Sequence, residues 1–249
     1  MSKTLVVGAS GATGRHLLRQ LLDKGVCVRA IVRAPNRLPE DLRTADNLEI
    51  IVGNISDMDQ QELARHAKGC DVVASCLGHN LSFKGMFGAP HRLVTDATKK
   101  LCSAIESNEL KSPVKYLLMN TAGNRHRGLN EKISFAQSCV IGLLRLLLPP
   151  HADNEDAAEY LRSSFSNDNK KLQWCVIRPD SLTNESNPSD YVLHSSPIRS
   201  AIFNAGKTSR INVGVFMATL IMEDNLWSEW RGRMPVIYNS DFLESSKAI

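Results

Sequence analysis

No two of the six cysteines stand at C-x-x-C spacing, which removes the usual signature of a zinc site or a redox dithiol. Cys27, Cys70, Cys76, Cys102, Cys139 and Cys175 are scattered, most of them in apolar runs where a free thiol packs as a small hydrophobe. The expectation is no bound metal and a reducing compartment. Excess charge is lacking too. The 30 basic and 26 acidic side chains leave a net charge of +4, too small and too dispersed for a nucleic-acid partner. No low-complexity tract, Pro/Gly/Ser-rich linker or internal repeat divides the 249 residues, so one domain with a sizeable core is expected. Met1-Ser2-Lys3 leads straight into a strand, without a signal-peptide pattern. The longest apolar stretch, 133–148, is shorter than the roughly 20 residues a span needs. Ser134, Gln137, Ser138 and Arg145 also interrupt it. A cytoplasmic protein without a membrane span is therefore expected.

What is present is an alternation of two periodicities. Short, mostly apolar runs at Leu5-Val6-Val7, 26–32, 48–52, 71–76 and 114–119 read as strands. Between them, leucines and alanines recur at helical spacing, as in Leu17, Leu18, Leu21 and Leu22, or Leu93, Ala97, Leu101 and Ala104. Apolar strands separated by helices predict an α/β fold, a doubly wound parallel sheet covered on both faces. Beyond 119 the pattern loosens. An apolar helix over 133–147 is expected to stop at Pro149-Pro150, with further helices over 155–164 and 211–222. Strands are expected at 174–177 and 235–238, and a polar loop over 180–191. The chain would then divide into a cofactor half of about 1–123 and substrate-covering elements of about 124–249.

The strongest signal is Gly8-Ala9-Ser10-Gly11-Ala12-Thr13-Gly14, between the first strand and the first helix. Gly8 permits a tight turn, Gly11 a close backbone approach to a pyrophosphate, and Gly14 close packing of helix on sheet. Free N–H groups at the start of the helix would face the phosphates. Glycine turns also serve as plain connectors, but the strand before and the helix after supply the context of a dinucleotide site in a Rossmann-type domain. At the end of the second strand, an acidic residue would accept the ribose hydroxyls of NAD; Arg33 stands there instead. Arginine suits a 2′-phosphate, and Arg37 could close over the adenine. NADP(H) is favoured, with NAD(H) as the alternative. Asn54 and Ile55 are candidates for the adenine, while Ser56 and Asp57 read better as helix caps. Cys76, Leu77 and Gly78 end the fourth strand at the height of the cofactor ribose. Cys76, with no evident base, reads as packing rather than as a nucleophile.

These pieces resemble the atypical short-chain dehydrogenase/reductases, in the group of NmrA-like proteins and flavin/biliverdin-IXβ reductases. The likeness is carried by residues 8–14, Val32-Arg33, Arg37-Leu38-Pro39, Gly53-Asn54-Ile55, Asn120-Thr121-Ala122-Gly123, 157–161 and Ile177-Arg178-Pro179. It implies a Rossmann domain with a small C-terminal substrate region, with NADPH as hydride donor. Two departures matter. The Tyr-x-x-x-Lys pair of the wider superfamily is missing, and His151 and Glu155 stand in the corresponding places, with Asp153 and Asn154 between. Ala122 replaces a serine, leaving Thr121 as the hydroxyl, a candidate for both cofactor and catalysis.

Reduction of a flavin, quinone or similar planar acceptor depends less on that pair, because hydride transfer needs chiefly proximity and orientation. His151, His79 and Tyr191 are then candidate proton donors, each also readable as a structural residue. Asp153 and Asn154 could cap a following helix. Arg178 could orient an anionic substrate, but an ion pair with Asp180 or Glu155 suits it better. A non-catalytic NADP(H) sensor, docking a protein partner through 133–148, is the second reading. An epimerase or dehydratase ranks last. A monomer or homodimer acting on a small molecule is expected.

Overall fold

The computed structural model describes residues 2–79, 88, 90–126, 128–129, 131, 140 and 149–241. The chain runs β1 (Lys3–Val7), α1 (Gly14–Asp23), β2 (Cys27–Val32), α2 (Glu40–Arg43), β3 (Leu48–Val52) and α3 (Gln60–Ala67). It continues through β4 (Val72–Ser75), α4 (Leu93–Glu106), β5 (Val114–Met119), α5 (Pro149–Ser164) and β6 (Leu172–Pro179). The last part holds β7 (Ser181–Thr183), β8 (Tyr191–His194), β9 (Lys207–Ser209), α6 (Arg210–Met222), α7 (Asp224–Trp230) and β10 (Val236–Asn239).

Eight strands form one sheet in the order β3-β2-β1-β4-β5-β6-β10-β8. All pairs are parallel except β10 with β8. The order reverses direction at β1 and β4, the switch point where an open α/β sheet leaves a crevice at its carboxyl edge. One face is covered by α3, α4 and α5 through Leu63, Leu101, Ile105 and Leu161. The other is covered by α1, α6 and the tryptophans of α7. Leu17, Leu18 and Leu21 of α1 are wholly buried there, each worth about 1.5–3 kcal/mol of apolar transfer. Gly214 of α6 lets that helix lie directly on α1. A Cβ at 214 would come within 2.8 Å of the His16 backbone.

The C-terminal half departs from expectation. Pro149 and Pro150 belong to α5, and the residues just before them lie outside the described ones. Asp153 and Asn154 lie inside α5 and cap no following helix. The expected loop 180–191 contains β7, which pairs with β9 in a separate two-stranded sheet, and Tyr191 begins β8. The expected helix over 133–147 lies outside the described residues apart from Val140.

Candidate functional site

The glycine turn is built as its spacing requires. Gly8 has φ +76°, and a Cβ there would sit 2.6 Å from the Cys76 carbonyl carbon and oxygen. Only glycine fits both the dihedral and the neighbouring strand. The Gly11 N–H donates to the Gly8 carbonyl at 2.9 Å, closing the turn. Gly14 starts α1 so tightly against Gly8 that a Cβ would collide with its carbonyl oxygen. The Thr13 side chain accepts no capping bond, so the N–H groups of the first turn remain unclaimed by it.

A cleft opens above this turn. Its walls include Gly8, Ser10, Gly11 and Ala12, then Arg33 and Arg37, then Asn54 and Ile55, then Cys76, Leu77 and Gly78. Most of the expected cofactor residues are thus brought together around one opening. Thr13 and Gly14 are set behind it, Thr13 being buried, and Thr121 lies one strand further on. Val7, Ile31 and Leu93 also line the cleft, unmarked by any motif. No acidic side chain is among its lining residues, and neither Arg33 nor Arg37 has an ion-pair partner among the described residues. Unneutralised guanidinium groups on a cleft wall fit a phosphate.

Two local readings are corrected here. Asp59, not Ser56 or Asp57, caps α3, accepting from the Glu62 N–H at 2.7 Å. Asp57 instead accepts from Asn54 Nδ2 at 3.1 Å. Asn54 Oδ1 also takes the Ser56 N–H at 3.4 Å, so this turn is already braced. Cys76 Sγ lies 3.9 Å from the Met217 sulfur, and burial pushes its thiol up to about 12. It packs.

The four candidate catalytic residues fall in three places. Tyr191 belongs to the face covered by α6, with its ring 6.0 Å from that of Phe216. His79, beyond Gly78, bonds through Nε2 to Asp153 Oδ2 at 2.8 Å. The same carboxylate accepts the backbone N–H groups of Val94 and Thr95, each at 2.8 Å. Asp153 therefore caps α4 from a neighbouring helix while holding the loop after β4. Burial alone would raise its carboxyl, but the bonds from His79, Thr95 and Val94 take it below its ordinary value.

His151 and Thr121 do meet. A Cβ on Gly123 would touch both, at 3.4 Å from His151 Cε1 and 3.7 Å from Thr121 Oγ1. His151 Nε2 is 3.5 Å from Glu155 Oε1, one helical turn on. The end of β5 is fixed to this turn of α5 by Asn120, whose Nδ2 donates to the Asn154 carbonyl at 2.8 Å. Asn124 Nδ2 donates to the same carbonyl at 3.4 Å.

Arg178 is wholly buried, and its ion-pair partner is Glu131 rather than Asp180 or Glu155. Further bonds to the carbonyls of Met234, Asn124 and Ser195 occupy the rest of its donors. It has none left for a substrate anion. Among the described residues, no group of His, Cys, Asp and Glu could hold a metal ion, and no helix is long and apolar enough to cross a membrane.

Fold and cleft define the class, a Rossmann-type domain with the features of a dinucleotide site. A family profile described as NAD(P)H-binding matches residues 8–224, and the chain belongs to that family. Among solved structures, a short-chain dehydrogenase/reductase of Veillonella parvula in complex with NADP is similar at TM-score 0.68 and 15% identity, covering 97% of this chain and 96% of the other. A candidate NADH-flavin reductase of Streptococcus pneumoniae is similar at TM-score 0.67 and 14% identity, covering 96% and 100%. At such identities the likeness is one of fold. The chloroplastic divinyl chlorophyllide a 8-vinyl-reductase of Arabidopsis thaliana is 24% identical over 89% of this chain. The matches cover 50% of that reductase and 3% of a second curated relative, a hybrid synthetase of Talaromyces variabilis.

Proposed function

We propose that the protein is an NADPH-dependent reductase of a small, planar, conjugated acceptor such as a flavin or quinone. The observation that carries this reading is the pair Arg33 and Arg37 on the wall of a cleft that has no acidic lining residue among the described ones. An acid at the end of β2 would suit a free ribose and repel a 2′-phosphate; two unpaired arginines do the reverse. The glycine positions fit the same tight turn, since a Cβ at Gly8 would collide with the Cys76 backbone and one at Gly14 with the Gly8 carbonyl. In this reading the glycine turn holds the pyrophosphate, Arg33 and Arg37 the 2′-phosphate, and Asn54 with Ile55 the adenine. When bound, NADPH supplies a hydride.

The acceptor class rests on the missing Tyr-x-x-x-Lys pair and on Arg178, whose donors are all engaged within the protein. A conjugated ring that spreads negative charge as it takes up hydride requires less help than a simple ketone. Two similar proteins carry descriptions of that kind, one naming a flavin and one a vinyl group on a chlorophyllide. The test is NADPH oxidation by the purified protein against a panel of flavins, quinones and enones. Turnover with at least one supports the reading. Tight NADP(H) binding without turnover on any would select the cofactor-sensor alternative, which the same missing pair motivates.

A further inference from the structure

The carboxyl end of β5 and the first turns of α5 hold a constellation the cofactor cleft does not use. His151 Cε1 and Nδ1 and the Thr121 hydroxyl all lie within 4.0 Å of where a Cβ on Gly123 would sit. Its Nε2 is buried and has no hydrogen-bond partner among the described residues. The Glu155 oxygen at 3.5 Å is near enough for charge attraction and too poorly aligned for a bond. A buried polar nitrogen left this way costs about 1–3 kcal/mol, and its retention in a packed structure calls for a reason. The Glu155 side chain is itself almost wholly buried.

The surroundings are rigid, which a purely incidental histidine would not need. Asn120 and Asn124 tie this turn of α5 to β5, and Asp153 ties it to α4 and to His79. The register of β4 with β5 pairs Ser75 with Leu118. Beyond that pair both segments leave the sheet at the same edge, where Gly78 lines the cleft and Thr121 follows the end of the neighbouring β5. A dinucleotide running from Arg33 over the glycine turn to Gly78 has this constellation as its next neighbour.

We propose that His151 is the proton donor to the acceptor, that Glu155 is its positioning residue, and that Thr121 orients the acceptor across Gly123. The inference rests on the reductase reading above. The acceptor gains a hydride from NADPH, which leaves as NADP+, and the acceptor atom that becomes negative takes the proton from His151 Nδ1. The N–H bond breaks, the nitrogen keeps the electron pair, and solvent returns the proton afterwards. Glu155 faces Nε2, so that Nδ1, the nitrogen towards Gly123, is the one presented to the acceptor. Tyr191 is a poor rival, because it sits on the opposite face of the sheet.

The experiment has two arms. In the first, histidine-labelled protein is titrated with NADP+ and followed by NMR, the His151 signal being identified by its loss in His151→Gln. The signal is expected to shift on binding; an unmoved signal overturns the proposal whether or not any acceptor is turned over. In the second, an acceptor reduced by the wild type is given to His151→Ala, His151→Gln and Glu155→Gln. We expect kcat to fall about 100-fold or more in both His151 variants, with NADPH affinity held within about twofold. Added imidazole should restore part of the rate to His151→Ala alone, and Glu155→Gln should lose about tenfold in kcat with little change in KM. Normal kcat in His151→Gln would overturn the proposal. A wild type that reduces nothing sinks the reductase reading instead, while the NMR arm still reports on the placement of His151.

Discussion

Arg178 and Glu131 meet in a buried two-point ion pair, with nitrogen–oxygen distances of 2.8 and 3.1 Å. The pair joins β6 to the segment after β5, and the other guanidinium bonds reach the segments before β10 and after β8. Every N–H of Arg178 is thereby consumed. We expect Arg178→Met to lose about 3–5 kcal/mol of stability, because Glu131 would be left as an unpaired buried charge. Chemical denaturation checks this. The double variant Arg178→Met/Glu131→Leu should recover much of the loss, since replacing a whole buried pair by apolar groups is often tolerated.

Asp153 organises the other side of the site. Substitution by alanine orphans the Val94 and Thr95 N–H groups and the His79 partner bond, at about 1–3 kcal/mol for each buried group. The pH dependence has a definite sign. The Asp153 carboxyl is held below its ordinary value of 3.8 against the opposing effect of burial, through bonds from His79, Thr95 and Val94. Its contribution is therefore fully present above about pH 4 and lost as pH falls through the lower folded value. Denaturation curves between about pH 6 and 2.5 should converge for wild type and Asp153→Asn at the acid end. A gap that widens on acidification would contradict this.

Cys76 is expected to be chemically silent in the native protein. Its side chain packs on Met217, and burial puts the thiol at about 12, so almost no thiolate exists at neutral pH. Alkylation followed by mass spectrometry should label Cys76 only after unfolding. Cys76→Ala should bind NADPH as the wild type does, since its side chain packs on Met217.

Gly123 lies beside both His151 and Thr121. A Cβ there would sit at ordinary contact distance from both, so Gly123→Ala should fold normally while closing the space between imidazole and hydroxyl. The expected result is a fall in kcat/KM of about tenfold or more with NADPH affinity unchanged. Steady-state kinetics beside a fluorescence titration of NADPH would separate the two effects.

The cofactor half was readable because its signals are local. The apolar runs 48–52 and 114–119 coincide with β3 and β5, and the glycine turn lies within seven consecutive residues. Beyond β5 the determining contacts are distant. Glu131 is 47 residues from Arg178, and Asp153 is 74 from His79, with no spacing rule to connect them. β7 and β9 are three residues each and carry too few apolar positions for a period of two to show. Asp59 was overlooked as a cap beside the equally suitable Ser56 and Asp57; only the turn at Asn54 decides among them.

The central claim is that Arg33 and Arg37 make this an NADPH site. It is tested most directly by titrating wild type, Arg33→Asp and Arg37→Ala with NADPH and with NADH. A charge-assisted bond to phosphate is worth about 1.5–3 kcal/mol, or roughly 10- to 100-fold in affinity. The wild type should prefer NADPH by at least about tenfold, and Arg33→Asp should lose that preference chiefly through weaker NADPH binding. An Arg33→Asp protein that keeps the wild-type preference for NADPH would contradict the account.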